Sequence, residues 1–239
     1  MNKIFLSCAL MVSFTLVQLT ASYDVNAAET KKSEKPKRKT QLVGPSVGKK
    51  VGKAFELYSA EVSDVPGALA LLLDISAKKT YDRAYVDRFI AVMYAQLGDH
   101  EAKAIEYLEK AVAPNILNEA DHGQSIKLLA DLQMQEKAYE GALINYKAWM
   151  AFTGESDGDT WVKISQAHYE LKRLDKMIVP ADNAIAAYGD KHNKNPYILK
   201  LTSYYELKKY KDVEEPVLDD KIIANLDTYQ NILDNEKHS

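Results

Sequence analysis

Cysteine is almost missing from this chain: Cys8 is the only one, and it sits inside the apolar run Ile4–Leu19. Downstream of that run the chain has no disulfide, no thiol nucleophile and no thiolate metal site. Histidine offers little more. His100, His122, His168, His192 and His238 are scattered, none lies four residues from another, and no H-E-x-x-H or equivalent ligand pair exists. No serine stands in a G-x-S-x-G turn, and no glycine-rich dinucleotide loop follows a strand. Gly44-Pro45-Ser46-Val47-Gly48-Lys49-Lys50 fails as a phosphate loop, because only three residues separate its glycines and Lys50 stands where Ser or Thr would hold magnesium. Asp157-Gly158-Asp159 lacks the alternating acidic ligands and the distal Glu of a calcium loop. These absences argue against an enzyme, and neither a cofactor nor a metal is expected.

At the N-terminus, Lys3 supplies a positive start, Ile4–Leu19 is an apolar run, and Val25-Asn26-Ala27-Ala28 offers small residues for cleavage after Ala27 or Ala28. Residues 1–28 therefore read as a secretory signal peptide; the competing reading is an uncleaved anchor. Export without disulfides leaves packing alone to hold the fold. Charge is unevenly spread. Residues 29–53 carry nine Lys/Arg against Glu29 and Glu34, whereas 54–239 carry 21 basic and 31 acidic residues. The span 29–46 is expected to be a basic, disordered linker, either merely solvated or in weak contact with anionic headgroups or an acidic partner. A net-acidic body without a basic–aromatic groove excludes nucleic acid.

Beyond the linker, helix follows helix. The apolar spacing predicts a first helix near Val47, capped by Ser46, and a second through Ala68, Leu69, Leu72, Leu73 and Ile75. Further helices are predicted at about 85–95, 100–112, 123–135, 139–151, 161–171, 175–188, 196–207 and 211–220. A last amphipathic helix, Ile222–Leu233, suits a solvating cap. The chain also repeats itself. Tyr169-Glu170-Leu171-Lys172 recurs 36 residues later as Tyr205-Glu206-Leu207-Lys208, with Trp161 opposite Tyr197 and Pro180 opposite Pro216. The two prolines predict a kink or a late helix start in the last two units. Ala68, Ala104, Ala142, Met177 and Val213 align as the close-packing position of the second helices, at intervals of 36, 38, 35 and 36 residues.

Trp161-x2-Ile164-Ser165-x2-His168, Asp87-x2-Ile90-Ala91-x2-Tyr94 and Ile126-x2-Leu129-Ala130-x2-Gln133 in the first helices, with Ala142-x3-Tyr146 and Ala104-x3-Leu108 in the second, resemble the tetratricopeptide repeat (TPR). His168 stands where that repeat has Tyr and is expected to face the core. The fold class is then all-α: a right-handed α-solenoid of about five TPR-like helix pairs plus a C-terminal capping helix, spanning 47–236. Such a fold presents a groove lined by first helices, where Arg88, Lys127, Asp131, Gln166, Tyr169, Thr202 and Tyr205 are the candidate protein-binding residues. For Tyr169 and Tyr205, packing between repeats is the alternative role.

Two further stretches, Gln41–Lys50 followed by Lys53-Ala54-Phe55-Glu56-Leu57-Tyr58, and Tyr81–Phe89, lie outside the repeat consensus. They resemble periplasmic TPR proteins of marine gamma-proteobacteria that accompany TonB-type energy-transduction systems. That resemblance implies a periplasmic adaptor, accessory to iron-carrier uptake, acting by protein binding without catalysis. The alternative is a TPR organiser of outer-membrane or peptidoglycan assembly.

Overall fold

The computed structural model describes residues 38–189 and 193–211, together with 224, 225 and 228. The signal-peptide span 1–28, residues 29–37 of the linker, Pro216, residues 212–220 of the second helix expected at 211–220 and most of the predicted cap lie outside them. The described elements are α1 (Pro45–Tyr58), α2 (Val65–Leu73), α3 (Thr80–Leu97), α4 (Glu101–Val112), α5 (Glu119–Gln135), α6 (Tyr139–Thr153), α7 (Gly158–Glu170), α8 (Ile178–Tyr188) and α9 (Asn195–Lys211). No strand occurs among the described residues. Helices α1 and α2, α3 and α4, α5 and α6, and α7 and α8 form antiparallel pairs, and each second helix packs on the first helix of the next pair.

Small residues at fixed positions allow this stacking. Ala91, Ala130 and Ser165 in the first helices and Ala68, Ala104 and Ala142 in the second are all 0% exposed, and so is the larger Met177, which takes the equivalent position just before α8. Beside them Ile90, Leu129 and Ile164 fill the first-helix layer, and Leu72, Leu108, Tyr146 and Ala181 the second. Each large apolar side chain so buried contributes about 1.5–3 kcal/mol. His168 is buried, as its core-facing register requires. Gln133, in the aromatic position of its repeat, is buried too, and its Oε1 accepts from Asn145 Nδ2 at 2.7 Å. Its amide lies 2.9 Å from where a Cβ on Gly141 would stand, so this polar replacement depends on a glycine in the facing helix.

The turns repeat as well. Asp99, Lys137 and Lys172 adopt left-handed φ of 53°, 60° and 58°, at the intervals of the packing alanines. At the ends of α5 and α7 the same bonds recur: Ala138 N to Gln133 O and Arg173 N to His168 O, both 2.8 Å, with Lys137 N to Met134 O and Lys172 N to Tyr169 O inside them. These are Schellman closures with lysine at the position glycine usually takes.

Several boundaries differ from the sequence expectation. Helix α1 begins at Pro45 with Gly44 as its uncapped start, so Ser46 lies inside the first turn and caps nothing; proline at the first helical position fixes φ where no N–H is needed. Helix α3 begins at Thr80 rather than near 85, because Tyr81 and Ala84 are already buried and Tyr81, Tyr85 and Phe89 pack ring to ring, 6.1 and 5.1 Å apart. Helix α5 likewise starts four residues early, at Glu119. Pro180 produces the late start rather than a kink: a 3-10 turn at Leu174–Lys176 precedes α8, and Pro180 occupies its first turn. The duplicated phrase is not duplicated in structure. Helix α7 ends at Glu170, whereas α9 runs through its copy to Lys211. The turn after α7 is tied down by Arg173, whose guanidinium forks onto the Glu140 carboxylate of α6.

The largest difference concerns the expected linker. Residues 38–44 are not free; they form an arm held along the heads of α3 and α5. Gly44 N donates to Asp82 Oδ1 at 2.9 Å, Gln41 N to Asn118 Oδ1 at 2.8 Å, and Arg38 Nη1 to the Asn115 and Leu117 carbonyls at 3.1 and 3.0 Å. Composition marks this stretch as basic and aperiodic, but its order comes from polar partners that lie about 40 to 80 residues downstream, a separation that periodicity does not register.

Candidate protein-binding groove

The first helices α3, α5 and α7 carry five of the candidate residues, Arg88, Lys127, Asp131, Gln166 and Tyr169, and the structure ties the first three across repeats. Arg88 on α3 donates to Gln124 Oε1 at 2.9 Å and pairs with Asp121 at 3.2 Å, both on α5. Lys127 on α5 meets Asp157 at the head of α7 at 2.6 Å, its Nζ lying 4.2 Å from the centre of the Trp149 ring. Asp131 accepts from Tyr146 Oη at 2.6 Å and from Lys163 Nζ, on α7, at 2.7 Å. Half-exposed pairs of this kind stabilise by no more than about 1 kcal/mol each. Their larger effect is to fix how adjacent first helices sit and to leave the face nearly neutral.

Asp157 shows the balance of forces. Burial pushes its carboxyl up, but the bonds from Lys127 and from Thr160, whose N–H it caps at 2.6 Å, outweigh that and hold it below the usual carboxylate range. The Tyr146 hydroxyl is shifted strongly upward, first by burial and then by its bond to Asp131, so it stays a neutral donor.

Between α5, α6 and α7 an open cavity of about 300 Å³ is lined by Asp131, Met134, Gln135, Tyr146, Lys163 and Gln166. With Asp131 and Lys163 neutralising each other, the groups left to a visitor are the exposed amides of Gln135 and Gln166 and the thioether of Met134. Primary amides read a peptide main chain, since each offers one acceptor and two donors. The arrangement can hold an extended segment; it offers no nucleophile paired with a base. Among the described residues no group of His, Cys, Asp and Glu is placed to hold a metal ion, and no helix is long and apolar enough to cross a membrane.

The remaining candidates lie apart from this cavity. Tyr169 ends α7 half-buried, with the Lys172 ammonium 4.9 Å from its ring centre. Thr202 is half-buried on α9, and Tyr205 on the same helix is 65% exposed. Equal phase in sequence therefore gives Tyr169 and Tyr205 different surroundings. Sequence reasoning missed Lys163, Gln135 and Met134. Lys163 lies three residues before the candidate Gln166 on the same helix, a spacing that shares a face, but its pairing with Asp131, 32 residues away, appears only in the fold.

No protein-family model matches the chain, and no curated protein matches it. Solved structures do. MamA of Desulfovibrio magneticus RS-1 (residues 41 to the end) is 14% identical, over 83% of this chain and 99% of that one, with a TM-score of 0.60. A Podosopora anserina chain with nearly identical TPR-like repeats is 13% identical, over 81% and 98%, at 0.53. BtubC of P. vanneervenii is 16% identical, over 81% and 91%, at 0.52. The chain has the fold of a TPR-like α-solenoid.

Proposed function

We propose that the protein is a non-catalytic scaffold that binds protein partners through the inner face of its first helices, in the periplasm, as an accessory component of a TonB-type energy-transduction system. The observation that carries the scaffold reading is the α5–α7 cavity: open, close to charge-neutral and edged by the free amides of Gln135 and Gln166. Open grooves of this kind suit an extended peptide better than a small molecule, which needs a closed, mostly apolar pocket. The periplasmic and TonB-type parts rest on the export-like N-terminus and on the resemblance carried by 41–58 and 81–89. The basic stretch 29–39 adds a weak electrostatic attraction to anionic membrane surfaces.

Affinity purification of the tagged chain from cells, after mild in-cell crosslinking, tests this reading. Components of an inner-membrane proton-driven motor are the expected partners. Recovery of peptidoglycan synthases or outer-membrane assembly factors alone would replace the TonB-type reading with an envelope-assembly role.

A further inference from the structure

The arm 38–44 is held by side chains that forgo ordinary duties to hold it. Asn118 is the N-cap residue of α5, yet its side chain bonds no N–H of its own helix. An asparagine at that position normally accepts from an N–H of its helix's first turn. Instead its Oδ1 accepts from Gln41 N at 2.8 Å while its Nδ2 donates to Gln41 O at 3.1 Å, a two-bond clamp on a single extended residue. Tyr81 Oη donates to the same carbonyl at 3.1 Å and accepts from Asn118 Nδ2 at 2.8 Å. Gln41 Nε2 reaches the Ile116 carbonyl at 3.1 Å. Three residues towards the helix, Gly44 N bonds the buried Asp82 carboxylate; three residues the other way, the Arg38 guanidinium grips Asn115 and Leu117 and lies 4.6 Å from the Phe152 ring centre. Between these anchors Leu42 points outward, 88% exposed. The arm thus reaches from the head of α3, where Gly44 is bonded, to that of α5, where Gln41 is bonded.

We infer that this edge, formed by Tyr81, Asp82, Asn115 and Asn118, is a peptide-binding site in its own right, separate from the groove of the first helices. Its ligand is an extended segment with arginine three residues before a clamped residue that has a free N–H, and glycine three residues after it. The chain's own residues 38–44 fill it in cis, and the same segment presented in trans binds it once the arm is displaced. The Asn118 clamp reads main-chain atoms, so it demands extension rather than a particular side chain; Arg38 and Gly44 supply the sequence preference.

The test uses the full chain carrying Gln41→Pro, which removes the clamped N–H and forces the arm off, and a fluorescein-labelled peptide of residues 38–46 (RKTQLVGPS). Anisotropy should show the peptide binding Gln41→Pro at least about tenfold more tightly than wild type, and Asn118→Ala added to Gln41→Pro should return it to the wild-type level, as expected for losing two hydrogen bonds. Equal binding to wild type and Gln41→Pro, or binding indifferent to Asn118→Ala, overturns the inference. A second measurement needs no displaced arm: trypsin should cut wild type after Arg38 and Lys39 at least about tenfold more slowly than the Asn118→Ala single variant, because a held segment must open first. Equal rates of cutting would also overturn it.

Discussion

Tyr146→Ala should lower the unfolding free energy by about 3–5 kcal/mol, the range for deleting a large buried ring, whereas Tyr146→Phe should lower it by no more than about 1.5–3 kcal/mol, the net worth of a hydrogen bond to a charged group. The residue is 0% exposed and packs with Ala130, Ala142, Leu143, Ile164 and Ala167, so its ring belongs at once to α6, α5 and α7. Three of the neighbours are buried alanines, whose short side chains cannot reach into the space a deleted ring would leave. Removing the hydroxyl alone leaves Asp131 with Lys163 as its partner, which limits the cost of the phenylalanine. Denaturant unfolding followed by circular dichroism measures both. A loss below about 1 kcal/mol for Tyr146→Ala would mean that the third and fourth pairs are not joined through this ring.

Acid should destabilise the protein well before its carboxylates titrate. His122 is 4% exposed, its ring is 4.8 Å from that of Phe152, and its Nδ1 has no partner. Burial, and secondly the nearby Arg38 guanidinium, push its pKa down to about 4. The unfolded chain therefore binds this proton from about pH 6.5 downward while the folded chain refuses it until about pH 4, so stability is present above pH 6.5 and is lost as pH falls through that window. Between pH 7 and pH 5 the loss from His122 alone is roughly 2 kcal/mol. His168, shifted down by burial and then by Lys147, adds a loss of the same sign. Below about pH 4.5 carboxylates held low, such as Glu106 at about 2 between Lys110 and Lys103, contribute their own loss, so pH 5 is the cleaner point of comparison. His122→Phe should at least halve the drop between pH 7 and pH 5. An unchanged pH dependence in that variant, or a wild type equally stable at both pH values, would contradict the assignment.

What was legible in the sequence was whatever recurs. The close-packing alanines, the intervals between them and the core-facing register of His168 all follow from a period that each helix pair must keep in order to stack on the next. Less was visible at helix starts. Helix α3 gains a turn from Tyr81, whose burial depends on the arm and on α5, and α8 loses one to Pro180, whose effect could be read in two ways until the 3-10 turn was seen. The groove was half legible. A helical wheel brings Arg88, Lys127 and Asp131 to one face, but it does not show that each is consumed by a partner in the next repeat, nor that this leaves Gln135 and Gln166 as the free polar groups. The arm was illegible, because an irregular segment bonded to distant loop carbonyls and to the side chains of Asn118 and Asp82 has no period at all.

Partners are expected to enter by the face of the first helices. A photo-crosslinking amino acid placed at Gln166, on the rim of the α5–α7 cavity, should capture a partner protein in intact cells. The same residue placed at Ile144, which is 67% exposed on a second helix and does not line the cavity, should capture little. Capture at position 144 with none at position 166 would contradict the account, because it would move the binding surface to the opposite face of the repeat.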